Sequence, residues 1–414
     1  MRIRAYLVPL LVGSLGALLV AWDGLLTPAF SDYELEAEPA FDLLRAGHLH
    51  GFLTHAPAYG GSLILRAPFV VAVTLWHAGG DAAYRASAVP AMIASIALGL
   101  WLFHRLSGKS AWLALLLCTA NPLTLASYEI GHPEELLGAV LCAAAVLVAL
   151  RDQPVWAGVL VGAAMANKPW AALAVLPVVL ALDRGRIKAL ISAGVACAVV
   201  LAPLMLAGGQ SIGRAAASAN HVGAIFLPCQ IWWFFGASGH VVMGLTGPKP
   251  DFRAAPHWIE SVAHPIVILA GLSLAAAWWF ARRRGADRRD ALGLLTIVML
   301  ARCILDPWNV VYYELPFVIA LLCWEVELRR PPIAALTASI VIWVTFELVV
   351  RYTTPDGQAV FFLLWVLPTF ALLALRVYAP ARFEALVAPL VAAVRRQLPS
   401  LTATVSGPRR AAQS

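Results

Sequence analysis

The chain has 414 residues, 61% of them hydrophobic and only 13% charged, against about 25% charged in an ordinary soluble domain. A water-soluble core rarely grows past about 250–300 residues, and too few polar groups are present to clothe several such cores, so a cytosolic enzyme, a disordered chain and a secreted disulfide scaffold are excluded and a polytopic membrane protein is expected. The net charge of +7 is no nucleic-acid signature, because the basic residues stand in short clusters between apolar runs, where they hold loops on the cytoplasmic side.

Taken in chain order, the first apolar run covers 6–26 behind Arg2 and Arg4, long enough for a membrane span. Twelve more follow at 63–76, 86–103, 111–126, 136–150, 155–166, 170–182, 190–206, 265–280, 291–305, 311–324, 333–350 and 361–375. Two long loops separate them, 27–62 and 207–264. The reading is one all-α membrane helix bundle over 1–377 with about twelve spans. Leu35, Ala40, Leu43 and Leu44 suggest an amphipathic helix in the first loop. Phe383, Leu386, Val387, Leu390, Val391 and Val394 have helical spacing. The tail 378–414 is therefore expected to be a cytoplasmic amphipathic segment with a disordered end. Five of the six cysteines fall in apolar runs and none is in a CxxC pair, so they read as core thiols.

Parity constrains the topology. The basic loop at 184–188 belongs inside and the first long loop outside, yet six apolar runs lie between them. A single helix over 155–182 would restore parity, but it would be about 42 Å long and would bury Lys168 beside the helix-breaking Pro169. Two short spans meeting at Asn167-Lys168-Pro169, with 63–76 dipping without crossing, keep Arg105, Lys109 and Arg151 inside. That arrangement gathers the polar residues on the outer face.

The first outer loop carries Asp32, Glu34, Glu36, Glu38 and Asp42. Glu36, Glu38 and Asp42 read as a solvated acidic surface. Asp32 is closest to the membrane, where a carboxylate can take a proton from a sugar hydroxyl while facing the headgroup layer. The next cluster is His132, Glu134 and Glu135. Pro133 fits a first helical turn and the two acids favour the positive helix terminus; His132 with one of them is otherwise suited to an acceptor sugar, since adjacent helical positions diverge by about 100°. Lys168, between two apolar runs, either snorkels or neutralises a phosphate.

Arg302 precedes Asp306 by four and is expected to pair with it, or to bind phosphate. Trp308, Asn309, Tyr312 and Tyr313 could stack on and hydrogen-bond a sugar, or form an interfacial belt. The second loop, with His221, Gln230, Trp232, Trp233, His240, Lys249, Arg253, His257 and Trp258, reads as a lid. Its histidines show neither HxxxH nor HExxH spacing, so no zinc site is expected.

A short N-terminal tail, one span and an outer loop of the form Asp-x(7)-Ala-x-x-Leu-Leu-x-x-Gly, beginning at Asp32, resemble the GT-C superfamily of integral-membrane glycosyltransferases. Gly162-Ala-Ala-Met-Ala-Asn-Lys-Pro-Trp is similar to a turn of its bacterial mannosyl- and arabinosyltransferase-like branches, and Gly131-His-Pro-Glu-Glu-Leu sits where such proteins carry a second polar outer motif. The branch most resembled is glycosyltransferase family 87, also known as DUF2029. The resemblance implies a GT-C-like fold and a polyprenyl-phosphate sugar donor with a mannose-like or arabinose-like sugar. It implies a glycolipid or polysaccharide acceptor, and an extracytoplasmic active site in the plasma membrane. It makes Asp32 the catalytic aspartate, with Glu34 beside it in place of a stricter Asp-Glu or Asp-x-Asp form. No cofactor is expected, and the Asp32-Tyr33-Glu34 sequence leaves a divalent metal open. On this reading Lys168, Arg302 and Arg66 receive the donor phosphate, and His132, Glu134, Glu135, Trp308, Asn309, Tyr312 and Tyr313 serve the sugar or acceptor. The rival readings are a lipid or solute transporter and a non-catalytic assembly subunit. A transporter would call for paired ionisable residues deep within spans, where Glu347 is the one isolated carboxylate.

Overall fold

A computed structural model describes residues 2–25, 32–76, 79–208, 213–214, 226–238, 242–244, 247–249, 252–283 and 287–397. The fold is an all-helical bundle. Its one pair of strands among the described residues is a short antiparallel hairpin, Val242–Gly244 with Gly247–Lys249. His221, His240 and the tail beyond residue 397 lie outside the described residues, so the readings of those histidines and of a disordered end fall there too.

Helix α1 (Arg2–Gly24) leads to Asp32 and a π-helical turn, Tyr33–Ala37. Two short helices follow, α2 (Glu38–Arg45) and α3 (Leu49–His55), with Ala40, Phe41 and Phe52 buried beneath them. Next come α4 (Gly60–Thr74), α5 (Gly80–Phe103), α6 (Gly108–Thr119) and α7 (Pro122–Ile130). Asn121 breaks α6 from α7: its side chain accepts from Leu123 N, and Pro122 needs no donor partner at the first helical position.

Three apolar elements then run back and forth across the bundle. They are α8 (Pro133–Ala149), α9 (Pro154–Asn167), and a 3₁₀ turn Pro169–Ala174 continued by α10 (Val175–Ala181). The chain turns extended at Lys168 (φ −147°, ψ 129°), so 154–181 is two elements and not one helix. Helix α11 (Arg186–Leu206) packs against α9 at backbone distance. A Cβ on Gly158 or Gly162 would run into the carbonyl oxygens of Ala189 and Ala193, the close approach that small residues four apart permit.

Helices α12 (His257–Arg283), α13 (Asp290–Leu305) and α14 (Leu315–Glu327) follow, with a 3₁₀ turn at Val311–Glu314. Helices α13 and α14 are buried along nearly their whole length and form the centre of the bundle. Helix α15 (Ile333–Trp343) continues through a π turn to Tyr352, and α16 (Pro355–Tyr378) and α17 (Pro380–Gln397) complete the chain.

Among the described residues seven helical stretches are long and apolar enough to cross a membrane: Tyr6–Gly24, Gly80–Phe103, Gly108–Ile130, Arg186–Leu206, Ser261–Arg283, Ile333–Tyr352 and Pro355–Tyr378. Several of them leave most of their length uncovered by protein, as lipid-facing helices do. One end of the bundle is basic and stapled. Arg288 reaches Asp152 at 2.7 Å and Asp183 at 2.6 Å, and Arg282 reaches Asp183 at 2.9 Å. These pairs tie the α8–α9, α10–α11 and α12–α13 connections together. The opposite end carries Asp32, His132, Lys168 and Asp306.

Candidate active site

The site is assembled around the turn between α7 and α8. Gly131 caps α7 with φ 108°, a left-handed conformation suited to glycine. The backbone of Tyr33 presses against it where a Cβ would stand. This contact sets the 131–132 turn on the start of the first outer segment, and Ser127 Oγ donates to the His132 carbonyl at 2.5 Å. His132 Nε2 consequently lies 2.9 Å from Asp32 Oδ2, and its Nδ1 lies 2.7 Å from Glu134 Oε1.

Glu134 is the hub of a buried ionic network. Its Oε2 accepts from Arg66 Nη1 at 2.9 Å, and Lys168 Nζ stands 3.1 Å from its Oε1. Arg66 also donates to the carbonyl and hydroxyl of Ser87 at 3.0 and 2.7 Å. Asn167 Nδ2 donates to the Glu134 carbonyl at 2.8 Å, which fixes the end of α9 against the start of α8. Lys168 reaches Glu135 as well, at 3.3 Å, and caps the ring of Tyr59 at 4.0 Å. Both adjacent glutamates therefore face one lysine, where helical spacing alone suggested that only one could. Burial and the nearby Lys168 charge oppose ionisation of His132, yet Glu134 and Asp32 outweigh them and raise its pKa to about 9. Burial likewise opposes the Lys168 charge, and Glu134 and Glu135 more than offset it, so its pKa is raised.

Two cavities meet at Lys168. One, of about 430 Å³, is largely apolar, walled by Leu173 and Leu176 on one side and by Val267, Ile268 and Leu272 of α12 on the other. Its polar end carries Lys168, Glu135, Arg302 and Asp306. The other, of about 500 Å³, is polar and carries Asp32, Glu36, His55, His132, Arg214 and Trp308. Ala58, Tyr59, Lys168 and Tyr313 line both.

Arg302 is buried between two rings, 4.9 Å from Trp170 and 4.2 Å from Tyr313, and its Nη1 points at the Tyr313 carbonyl at 3.4 Å. It does not form the expected ion pair with Asp306. Helix α13 ends at Leu305, the backbone of Asp306 is extended, and its carboxylate accepts from Trp308 N instead.

The structure thus brings together Asp32, His132, Glu134, Glu135, Lys168 and Arg66, with the Tyr312 ring 4.7 Å from His132. Arg66 lies behind Glu134 and lines neither cavity, and neither does Glu34. Asn309 is turned inward, donating to the Cys229 carbonyl at 2.8 Å and to Glu314 at 3.2 Å. Glu36, expected to be a solvated surface acid, is exposed and also lines the polar cavity. Tyr59, Trp170, His264 and Arg214 also line the cavities and were not singled out from sequence. Of these, only Trp170 carried a local signal, as the residue after Lys168-Pro169. Among the described residues no group of three or more His, Cys, Asp or Glu side chains is arranged to hold a metal ion.

Fold and site together define a multi-pass membrane protein with a charged cleft at one end of its bundle. The family model of glycosyltransferase family 87 matches residues 61–307, which is more than half of the chain. The chain belongs to that family and is a membrane glycosyltransferase. The matched region includes Arg66, the 131–135 turn, Lys168 and Arg302, and it begins after Asp32. No curated protein and no solved structure matches the chain.

Proposed function

We propose that the protein transfers a sugar from a polyprenyl-phosphate donor to a glycolipid or polysaccharide acceptor at the extracytoplasmic face of the plasma membrane. The observation that carries this reading is the placement of Lys168 where an apolar cavity open between helices joins a polar one walled by Asp32. A donor with a hydrocarbon tail, a phosphate and a sugar has that sequence of chemistries. Its tail suits the Leu173, Leu176 and Leu272 walls, and its phosphate suits Lys168 and Arg302.

Asp32 takes the proton of an acceptor hydroxyl. The acceptor oxygen then attacks the anomeric carbon from the side opposite the phosphate. The carbon–oxygen bond to phosphate breaks, and its electron pair leaves on the phosphate oxygen, which Lys168 and Arg302 neutralise. The product is inverted at the anomeric carbon. Trp308, Tyr312 and Tyr313 offer ring faces to the sugars and Glu135 a carboxylate. Arg66 serves by holding Glu134, and Asn309 by holding the turn that carries Tyr312. Glu34 follows the base without entering the cavity wall.

The basic, stapled end of the bundle is assigned to the cytoplasm by the positive-inside rule, which leaves the Asp32 end outside. Seven long helices and five shorter elements, α8, α9, 169–181, α13 and α14, make twelve crossings. Helix α4 does not cross: it begins at Gly60, just after Tyr59, and the chain enters α5 at Gly80 beside Glu38, both on the outer side. The short elements are shielded by the bundle, because about 20 Å of helix falls short of a bilayer core of about 30 Å. The test is a donor panel: purified protein in nanodiscs is expected to transfer radiolabelled hexose or pentose from a polyprenyl-phosphate sugar and not from a nucleotide sugar, and the reverse preference would refute the reading.

A further inference from the structure

Both ring nitrogens of His132 face carboxylate oxygens, Asp32 Oδ2 at 2.9 Å and Glu134 Oε1 at 2.7 Å. An ionised carboxylate only accepts hydrogen bonds, so each of these contacts calls for an N–H. Neutral imidazole has one and imidazolium has two. The groups that face the ring come from several elements. From the first outer segment it meets Asp32, from the stretch before α4 the Tyr59 ring at 5.8 Å, and from the turn before α14 the Tyr312 ring at 4.7 Å. From α8 it meets Glu134, and the Lys168 ammonium at the end of α9 approaches that same Glu134 oxygen at 3.1 Å. The side chain is buried.

We infer that His132 is an imidazolium that aims Asp32 at the acceptor and links it, through Glu134, to Lys168. The role in aiming rests on Asp32 being the base; the protonation state does not. A doubly protonated ring has no lone pair, so it cannot take the acceptor's proton. That proton goes to Asp32 Oδ1, while Oδ2 is held by the His132 N–H. His132 is a positioning residue in this scheme.

The link to Lys168 follows from the shared oxygen. Glu134 Oε1 accepts from both Lys168 and His132. A lipid phosphate that draws the Lys168 ammonium towards itself leaves that oxygen to the imidazolium alone. The ring is then pulled towards Glu134, and its hold on Asp32 slackens. The base is released when the donor has arrived and is restrained before, which disfavours proton abstraction from an acceptor with no donor in place.

The experiment uses full-length protein in nanodiscs with ¹⁵N-labelled histidine, with His132→Gln identifying the His132 signals among the ten histidines. At pH 7.5 both His132 nitrogens are expected to be protonated, and polyprenyl phosphate without a sugar is expected to shift the Nε2 signal in wild type but not in Lys168→Met. A bare ring nitrogen at pH 7.5 would overturn the imidazolium; an unchanged Nε2 signal with polyprenyl phosphate demonstrably bound would overturn the link. In parallel, His132→Gln is expected to lower kcat by about tenfold or more, with donor KM changed by less than about threefold. The wild-type rate is expected to fall at alkaline pH as the imidazolium that aims Asp32 loses a proton, and His132→Gln is expected to abolish that fall. Loss of folded protein with the pH profile of the remainder unchanged would reduce His132 to a structural role. A wild type with no transferase activity would count against the proposed function, and the nitrogen spectra would still decide the protonation state.

Discussion

Asp32 and His132 stand 100 residues apart in the chain, and their side chains meet at 2.9 Å in the wall of the polar cavity. The meeting depends on a backbone device, since Gly131 gives the Tyr33 backbone the room that any side chain would take. Behind His132 the charges alternate through Glu134 to Arg66 and Lys168, so that each ion of this network faces an opposite partner.

Arg66 tests that network as structure. Its guanidinium is buried and satisfied by Glu134 and Ser87. Arg66→Met is expected to destabilise the fold by about 3–5 kcal/mol, the usual cost of leaving one member of a buried ion pair alone. Arg66→Met combined with Glu134→Gln is expected to recover part of that loss in thermal unfolding in detergent. A single variant as stable as wild type would show that Glu134 needs no such partner.

The pH dependence of stability follows from His132. Its pKa is raised from an ordinary 6.5 to about 9 in the folded protein. The stabilisation is therefore fully present below about pH 6.5 and is lost as pH rises through about 9. The melting temperature of the wild type is expected to fall between those values, and His132→Gln is expected to flatten that part of the curve. A wild-type melting temperature that rises across this window would contradict the assignment.

Lys168 and Arg302 test the donor site. Lys168→Met and Arg302→Met each remove a charged donor worth about 1.5–3 kcal/mol, so each is expected to weaken polyprenyl-phosphate binding by about tenfold to a hundredfold. Binding isotherms with polyprenyl phosphate measure this directly, and unchanged affinity in both variants would move the phosphate elsewhere.

Topology is checked with single cysteines. Ser127 and Asn167 are buried and poorly suited to labelling, whereas His50 and Arg184 are exposed at opposite ends of the bundle. His50→Cys is expected to react with an impermeant maleimide in intact cells, and Arg184→Cys only after the membrane is opened. The opposite pattern would place the Asp32 end in the cytoplasm.

Much of this was legible in the residue order. All thirteen apolar runs became helical elements, and Pro169 after Lys168 marked the break between α9 and the 3₁₀ turn that precedes α10, because proline cannot continue a helix hydrogen-bonded through its nitrogen. Asp32, His132, Glu134, Glu135, Lys168 and Arg302 stood out as polar residues at the margins of apolar runs. Their partnerships did not. Arg66 and Glu134 are 68 positions apart, and the pairing is set by how α4 packs on α5 and α9, the helices that flank α8, which no local period encodes. Tyr59 and Glu36 gave no signal, since an aromatic in a short connection and an acid among acids look alike whether they face water or a cavity. Arg302 shows the opposite failure: four-residue spacing suggested a partner in Asp306, but the helix ended one residue too soon.

The most direct measurement is transfer from a purified polyprenyl-phosphate sugar by wild-type protein and by Asp32→Asn, with donor binding followed alongside. Loss of a general base costs about 10²–10⁴-fold in rate. The account predicts that Asp32→Asn binds the donor as wild type does and transfers its sugar slower by that factor. Full transfer by Asp32→Asn would contradict it.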